Sequence, residues 1–476
     1  MRIPSLNYTL FFVIAAGGWY LLPRRQKRHW LMAAGLAFYA FVDWHQLPFL
    51  IGAALVSYAA ALAAETRWLG KRRLWTALGL VCLLGTLFVC KYFNFFYGSL
   101  FPGFEGLRLP LPPGLSFYCF GACAYLIDVQ REKLPAQRSI VDLTAFLAFF
   151  PVLLAGPVGR AREFLPQLRE PPTFDAARVR AGGMRFLRGM FKKLVVADTL
   201  GLLVDAAYAD PTAVSGGAML VAVLAYPLQI YLDFSGYSDM AIGCAEMLGL
   251  RVTENFKAPY LSRSIKEFWK KWHISLTDWF REYLYIPLGG SRMGKARTAL
   301  NVLIVFAVSG LWHGAAWTFI VWGLLNGLYQ VAGSLTLPKR TAVKARLRIP
   351  ENGPITVAAQ GLLTFLLVTV AWIFFRSESL PQAVYVFKHI LLIFRDGFGL
   401  WSAAALLPLR RWLLLIPVLL LCLWEDICIS RGRRLPSERA VGLRYWGAAA
   451  ALLLATAIFG VYGPGIDARE FVYFQF

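Results

Sequence analysis

The chain has 476 residues, of which 58% are hydrophobic and 16% are charged, and its mean hydropathy is +0.55. Apolar runs recur from residue 6 to residue 463, and many approach the roughly 20 apolar residues that a bilayer-spanning helix needs. The pattern excludes a water-soluble globular protein. It predicts an all-α, polytopic integral membrane protein that forms one domain over residues 1–476.

The net charge of +22 does not indicate a nucleic-acid binder, because the cations lie in short loops between apolar runs rather than on one basic face. Clusters of Lys and Arg occur at residues 24–28, 67–73, 339–348 and 431–439. Such loops face the cytoplasm in membrane proteins, so we expect these four on the cytoplasmic side and the amino terminus outside.

Hydropathy predicts roughly 11–13 transmembrane helices. The candidate spans are 6–22, 30–44, 47–64, 76–97, 114–129, 140–156, 216–233, 234–250, 297–311, 312–333, 357–375, 408–428 and 446–463. Two stretches are too polar to cross lipid as a unit but keep apolar residues at helical spacing. Residues 184–205 are predicted to lie along the cytoplasmic interface, with four cations off the apolar face: Arg185, Arg188, Lys192 and Lys193. Residues 262–285 predict an interfacial or re-entrant helix with an aromatic face.

Two of the five histidines stand out. His313 lies in SGLWHGAAW (Ser309–Trp317), within an apolar helical run, and a titratable imidazole at membrane depth is costly unless it serves a function. His273 lies on the predicted aromatic-faced helix, in KKWHISL. A hydrogen bond between helices would also explain His313, and a polar residue at the water boundary would also explain His273.

Two carboxylates, Asp233 and Asp239, interrupt another apolar run, YLDFSGYSDMAIG (231–243). Intramembrane carboxylates face a cavity or a cationic partner, so these could orient either histidine or pair with Arg281. A buried polar network that only fixes helix packing is an equally good explanation.

The loop LGGSRMGKA (288–296) resembles a phosphate-binding loop but is rejected, because Ala296 replaces the Mg²⁺-binding hydroxyl residue and no strand precedes it. The nearby cations Lys270, Lys271 and Arg292 could instead hold the phosphates of a nucleotide-like cofactor. The positive-inside rule also explains them. No metal site is predicted. The chain ends in FVYFQF, in which Tyr473 could be a nucleophile or a residue of the interfacial aromatic belt.

The pair RSIKEFWKKWHISLTDWFREYLYIPLGG and GLWHGAAWTFIVWGLLNG resembles the membrane-bound O-acyltransferases, in particular the bacterial branch of the alginate O-acetyltransferase membrane subunit. Further matching blocks are KYFNFF, PPGLSFYCFGACAYLIDVQR, FFPVLLAGPVGRAREFLPQL, FKKLVVADTL, YLDFSGYSDMAIG, NFKAPYLSRSI and the terminal YFQF. The resemblance spans nearly the whole chain, although the part after residue 378 looks shorter than in that branch.

The resemblance implies a helical fold around a central tunnel, with residues 251–335 as the catalytic core and 465–476 as an F-x-Y-x-x-F tail. It implies that His313 is the essential residue and His273 its partner. The terminus also resembles the end of the small membrane subunit in the related D-alanylation system, where a tyrosine is proposed to carry the acyl group, and Tyr473 stands at that position. Supporting roles are expected for Asp233, Ser235, Asp239, Trp269, Trp312, Arg281 and Asn326. The implied donor is acetyl-CoA from the cytoplasm. The implied acceptors are a periplasmic partner protein and a secreted polysaccharide at the bacterial inner membrane.

Three alternatives stay open from the sequence. The same chemistry could serve cellulose, another exopolysaccharide or peptidoglycan. A transporter for an acyl or glycan carrier could use His313 as a proton relay, although no internal repeat is visible. A scaffold of a secretion complex would need neither histidine.

Overall fold

The computed structural model describes residues 3, 5–66, 70–101, 103–104, 106–391, 393, 399–433, 435 and 440–462. These residues form helices and turns, with no strand among them, and the all-α polytopic fold class is confirmed. The predicted tail 465–476, with Tyr473, lies outside the described residues.

The helices follow one another along the chain in three groups. The first group is α1 (Leu6–Leu21), α2 (Arg24–Asp43), α3 (Leu47–Glu65), α4 (Arg72–Leu87), α5 (Phe93–Leu100), α6 (Leu115–Gln130) and α7 (Ile140–Leu147). The second group is α8 (Ala161–Arg169), α9 (Ala176–Phe191), α10 (Asp198–Ala209), α11 (Gly216–Met247), α12 (Ile265–Lys271) and α13 (Ile274–Phe280). The third group is α14 (Gly294–His313), α15 (Trp317–Arg346), α16 (Pro354–Arg376), α17 (Leu380–Leu391), α18 (Leu409–Ser430) and α19 (Leu443–Phe459).

Seven helical stretches in the described part of the chain are long and apolar enough to cross a bilayer. They are Arg24–Glu65, Arg72–Leu100, Gly216–Met247, Gly294–His313, Trp317–Arg346, Pro354–Arg376 and Leu409–Ser430. The first of these contains two predicted spans, separated by a short helical turn at Trp44–Gln46. Three more predicted spans fall on the shorter apolar helices α1, α6 and α19.

Two predicted features of the span list are wrong. Residues 140–156 do not form one helix, since α7 ends at Leu147 and turns follow. The predicted spans 216–233 and 234–250 are one continuous 32-residue helix, α11. The carboxylates Asp233 and Asp239 do not interrupt this helix, because each forms an ion pair with a cation outside it.

The described residues divide into two compact units, and the prediction of a single domain stays a prediction. The first unit comprises residues 1–189 and 237–254. In it, the indole of Trp19 donates to the carbonyl of Leu248 (2.9 Å) and the hydroxyl of Tyr20 donates to that of Met247 (2.7 Å). These bonds join α1 to the end of α11. They also give the indole of Trp19 and the hydroxyl of Tyr20 their hydrogen-bond partners.

The second unit comprises residues 190–236 and the described residues from 255 onward. Its α14 and α15 form a tight antiparallel hairpin. A Cβ atom at Gly310 would overlap the carbonyl of Phe319, and one at Gly323 would overlap that of Phe306. Glycine at these two positions therefore lets the helix backbones touch, as is common between membrane helices.

The prediction that Lys192 and Lys193 lie on a polar face, away from the packed residues, is wrong. Between α9 and α10 the helix widens into a π-helical turn over Lys192–Ala197, and both lysines are buried. Each has an ion-pair partner, Glu425 for Lys192 (3.0 Å) and both Asp198 and Asp233 for Lys193 (2.8 and 2.7 Å). Charge pairing makes the burial of these cations tolerable where hydropathy alone predicts exposure.

Candidate active site

His273 lies at a break in the predicted aromatic-faced helix. The stretch forms two short helices, α12 and α13, and His273 is the residue that precedes α13. Ser264 caps the start of α12, because its hydroxyl accepts from the Glu267 amide (3.2 Å), and the Glu267 carboxylate accepts from the Arg263 amide (2.9 Å). The continuous helix over 262–285 was therefore a wrong prediction.

The break has a specific backbone geometry. His273 adopts φ 43° and ψ 53°, the left-handed region that non-glycine residues seldom occupy. The chain after the break is held by the Ile274 amide, which donates to the Asn255 carbonyl (3.0 Å). The chain before it is held by the Lys257 amide, which donates to the Lys271 carbonyl (3.0 Å). The extended segment that starts at Asn255 thus supports both sides of His273.

His313 is the last residue of α14, not the middle of a helical run. The helix ends there, Gly314 follows in an extended conformation, and α15 starts at Trp317. A Cβ atom at Gly314 would overlap the ring of Phe319, so the turn that carries His313 is pressed against the start of α15. The helical hairpin therefore fixes where the imidazole lies.

The structure brings the two histidines together. Their ring centroids are 6.4 Å apart, although they are separated by 40 positions in sequence. Both are buried, with exposed fractions of 1% for His273 and 3% for His313. The ring of Trp312 packs against both, at 6.0 Å from His273 and 5.0 Å from His313.

Aromatic side chains surround the pair. Phe234 of α11 packs edge-on against His273 (4.6 Å), and Trp322 and Phe375 pack against His313 (5.0 and 5.5 Å). Burial lowers the pKa of His273 to about 3, so its imidazole is neutral at physiological pH. A neutral imidazole in an apolar, water-poor site can take a proton from a hydroxyl that attacks a carbonyl.

Two further predicted supporting residues, Trp269 and Asn326, contact Trp322, and a third, Ser235, follows Phe234 in sequence. Trp269 packs on Trp322 (5.8 Å), which itself contacts His313. The amide of Asn326 donates to the Trp322 carbonyl (2.9 Å) and so holds α15 in that region. Ser235 is buried, and its hydroxyl has no hydrogen-bond partner among the described residues.

The two carboxylates of α11 have cationic partners that sequence reasoning did not assign to them. Asp233 pairs with Lys193, and Asp239 pairs with Arg185 (3.0 Å) in the first unit. Arg185 also forms two bonds to the Glu254 carboxylate (2.7 and 2.6 Å). Arg281 pairs instead with its neighbour Asp278 (3.0 Å).

The predicted cofactor-binding cations lie at the surface of the second unit. Lys270 and Arg292 are exposed, and Lys271 pairs with Glu267 (2.7 Å) at the end of α12. Lys271 precedes His273 by two residues, so this end of α12 joins a charged surface to the buried histidine.

Sequence reasoning missed Asn255 and Lys193. Asn255 is fully buried and bonds to His273, and the signal available was its place in NFKAPY, just ahead of the aromatic-faced helix. Lys193 had a similar signal, an adjacent lysine pair within an otherwise apolar stretch.

Comparison with known proteins decides the family. The family model for membrane-bound O-acyltransferases matches residues 129–345, a range that contains both histidines. A protein of Azotobacter vinelandii named Probable alginate O-acetylase AlgI is 39% identical over 434 residues, which cover 87% of this chain and 81% of that protein. The chain belongs to the membrane-bound O-acyltransferase family. This membrane-bound O-acyltransferase is an O-acetyltransferase, and it crosses the membrane several times.

Two further relatives carry other names. The Peptidoglycan O-acetyltransferase of Helicobacter pylori is 34% identical over 393 residues, covering 76% of this chain and 73% of the relative. The Teichoic acid D-alanyltransferase of Streptococcus thermophilus is 28% identical over 283 residues, covering 56% of this chain and 68% of the relative. These two names differ in the acyl group, acetyl or D-alanyl, and in the acceptor, peptidoglycan or teichoic acid.

Proposed function

We propose that this O-acetyltransferase moves an acetyl group from cytoplasmic acetyl-CoA to the periplasmic side of the bacterial inner membrane, where a secreted polysaccharide is O-acetylated. The observation that carries the proposal is the buried pair His273 and His313, 6.4 Å apart between ring centroids and walled by aromatic rings. Acyl transfer from a thioester to a hydroxyl needs a neutral base in a site that excludes competing water.

In the proposed step, His313 takes the proton of the incoming hydroxyl as its oxygen attacks the thioester carbonyl. The carbon–oxygen bond forms, the carbon–sulfur bond breaks, and the proton passes to the sulfur of CoA. His273 positions the CoA end or stabilises the charge that develops. The exposed cations Lys270 and Arg292, with the half-buried Lys271, would bind the phosphates of CoA, because ammonium and guanidinium groups suit phosphate oxygens.

The first hydroxyl to receive the acetyl group is proposed to be that of Tyr473. A phenol, with a pKa of about 10, is easier to deprotonate than an aliphatic hydroxyl. From the tyrosine the acetyl group would pass to a periplasmic partner protein and then to the polymer. Alginate is the proposed polymer, since a relative that covers 87% of the chain is named as an alginate O-acetylase. Peptidoglycan is the second candidate, favoured by the relative from Helicobacter pylori.

The tyrosine relay predicts an acetylated carboxy-terminal peptide. Purified protein incubated with acetyl-CoA should gain one acetyl group on that peptide, measured by intact-peptide mass spectrometry. Tyr473→Phe should lose the adduct, because it removes only the reacting oxygen. Tyr462→Phe is the matched control, since the Tyr462 hydroxyl is engaged with the Thr456 carbonyl (2.9 Å), and it should keep the adduct.

The His313→Ala protein tests whether His313 is the base, independently of whether Tyr473 carries the acetyl group. Loss of the adduct in that variant supports His313 as the base, and a wild-type yield of adduct contradicts that role. An adduct that persists in Tyr473→Phe would show that the acetyl group resides elsewhere.

A further inference from the structure

Three donors converge on the side-chain oxygen of Asn255. The Ser275 hydroxyl donates to Oδ1 (2.7 Å), the Ser275 backbone amide lies 3.4 Å from the same atom, and Nδ1 of His273 lies 3.3 Å from it. A backbone amide can only donate, so the atom that faces it must be the oxygen of the Asn255 side chain and not its NH₂ group. The orientation of the Asn255 amide is therefore fixed by its neighbours.

This orientation fixes the tautomer of His273. An amide oxygen only accepts, so the bond between Nδ1 and Asn255 requires a proton on Nδ1. Burial keeps the ring neutral, and a neutral imidazole carries one proton. Nε2 is consequently the nitrogen with the lone pair, and it is the one able to receive a proton.

The backbone of His273 is also held in a specific conformation by Asn255. Its left-handed φ of 43° costs free energy for a residue with a Cβ, and such strain persists where the surroundings impose it. Asn255 imposes it twice, through its side chain on the imidazole and through its carbonyl on the Ile274 amide. One residue thus sets both the direction and the protonation pattern of His273.

The 6.4 Å between the ring centroids of His273 and His313 exceeds the reach of a direct hydrogen bond, because ring nitrogens lie close to their centroids. A hydroxyl oxygen placed between the two imidazoles could contact both. From α14 the titratable group packed against His273 is His313, while Asp233, next to Phe234 on α11, forms an ion pair with Lys193. Lys271, on the adjoining helix α12, is paired with Glu267.

We propose that Asn255 is a positioning residue for acyl transfer, which holds His273 with Nε2 as a proton acceptor. His273 then stabilises the developing charge by sharing the proton that His313 takes from the attacking hydroxyl. The inference rests on the proposed function. The hydroxyl oxygen bonds to the acyl carbon, the carbon–sulfur bond breaks, and the shared proton passes from the imidazole pair to the leaving sulfur. His273 and His313 then share their apparent pKa values, which the pH profile of kcat reports for the two imidazoles together.

Asn255→Asp is the most informative variant. A carboxylate accepts the same three hydrogen bonds but adds a negative charge beside Nδ1–H, which stabilises the imidazolium form of His273. The acid limb of the pH profile of kcat should move upward by about one pH unit or more. The KM for acetyl-CoA should change little. Asn94→Asp is the matched control, since Asn94 binds the backbone of Leu107 in the first unit, and its profile should match the wild type.

Asn255→Ala removes the oxygen that accepts from Nδ1 of His273, so the proton of the imidazole can lie on either ring nitrogen. We expect kcat to fall by about tenfold or more with an almost unchanged KM. An acid limb of Asn255→Asp that coincides with that of the wild type would overturn the inference while leaving the proposed function intact. Absence of any acetyl transfer by the wild type would overturn the proposed function itself.

The tautomer of His273 can also be measured on the wild-type protein, so the test does not depend on a variant that folds. Nitrogen-15 spectra of histidine-labelled protein distinguish a protonated from an unprotonated ring nitrogen, and His273→Gln assigns the signal. We expect a protonated Nδ1 and an unprotonated Nε2 for His273. The opposite tautomer would contradict the assignment directly.

Discussion

At the residue scale, the burial of His273 has a thermodynamic consequence as well as a catalytic one. An imidazole in water titrates near pH 6.5, whereas burial lowers the pKa of His273 to about 3 in the folded protein. Between these two pH values the unfolded chain binds a proton that the native chain does not bind. Folding stability contributed by this site is complete above about pH 6.5 and declines as the pH falls toward 3.

This linkage predicts a pH-dependent stability difference between the wild type and His273→Gln. Between about pH 6 and pH 4 the free energy of unfolding of the wild type should fall by about 1.4 kcal/mol per pH unit more than that of the variant. Chemical unfolding in detergent at several pH values measures the difference. Parallel pH dependences in the two proteins would show that His273 titrates normally in the fold.

The residue scale also shows what a sequence can reveal about the site. His313 and His273 were predictable individually, because an imidazole amid apolar residues is unusual. Their convergence was implied only by the family resemblance, since 40 intervening positions set no distance by themselves. The motif NFKAPY marks the position of Asn255 but not its role, because that role depends on a left-handed residue and a backbone contact that the sequence does not show.

At the element scale, the π-helical turn Lys192–Ala197 joins three helices through buried charges. Lys193 binds Asp198 of α10 and Asp233 of α11, and Lys192 binds Glu425 of α18. Although burial alone would lower the pKa of Lys193, the two carboxylates raise it, so the ammonium form is retained. Asp426, next to Glu425, accepts from the Tyr231 hydroxyl (2.7 Å) and extends the network along α18 and α11.

Removal of one cation from this network should be strongly destabilising. Lys193→Met leaves the carboxylates of Asp198 and Asp233 buried without their shared partner, which costs about 3–5 kcal/mol. A thermal melt in detergent measures the loss, and the double variant with Asp233→Asn should recover part of it. Lys339→Met, at an exposed position of α15, is the control and should melt like the wild type. An unchanged melting temperature for Lys193→Met would contradict the stabilising role of this network.

Helices were predictable from the sequence where hydropathy is continuous, and their ends were not. Residues 262–285 have the periodicity of one helix, yet the hydrogen bonds of Asn255 interrupt it at His273. Residues 216–250 contain polar groups that suggested two helices. Ion pairs with Lys193 and Arg185 allow α11 to continue through them. Tertiary partners decided both cases.

At the scale of the whole molecule, composition and charge patterning predicted the class of protein, because a bilayer demands long apolar helices whatever the activity. Every predicted span except 140–156 falls on a candidate spanning helix or a shorter apolar helix of the described chain. The fold does not determine which polymer receives the acetyl group, since related O-acyltransferases carry the names of different polymers.

The proposed function requires that the buried histidine pair catalyses acyl transfer from a thioester. The most direct test is the release of free CoA thiol from acetyl-CoA by purified protein in lipid nanodiscs, followed as the single turnover that loads the first acceptor hydroxyl. We expect CoA release by the wild type, a rate lower by about a hundredfold or more in His313→Ala, and a normal rate in His45→Ala, whose imidazole is exposed beside Asp43. A His313→Ala protein that is present in normal amount and works at the wild-type rate would show that His313 is not the catalytic base.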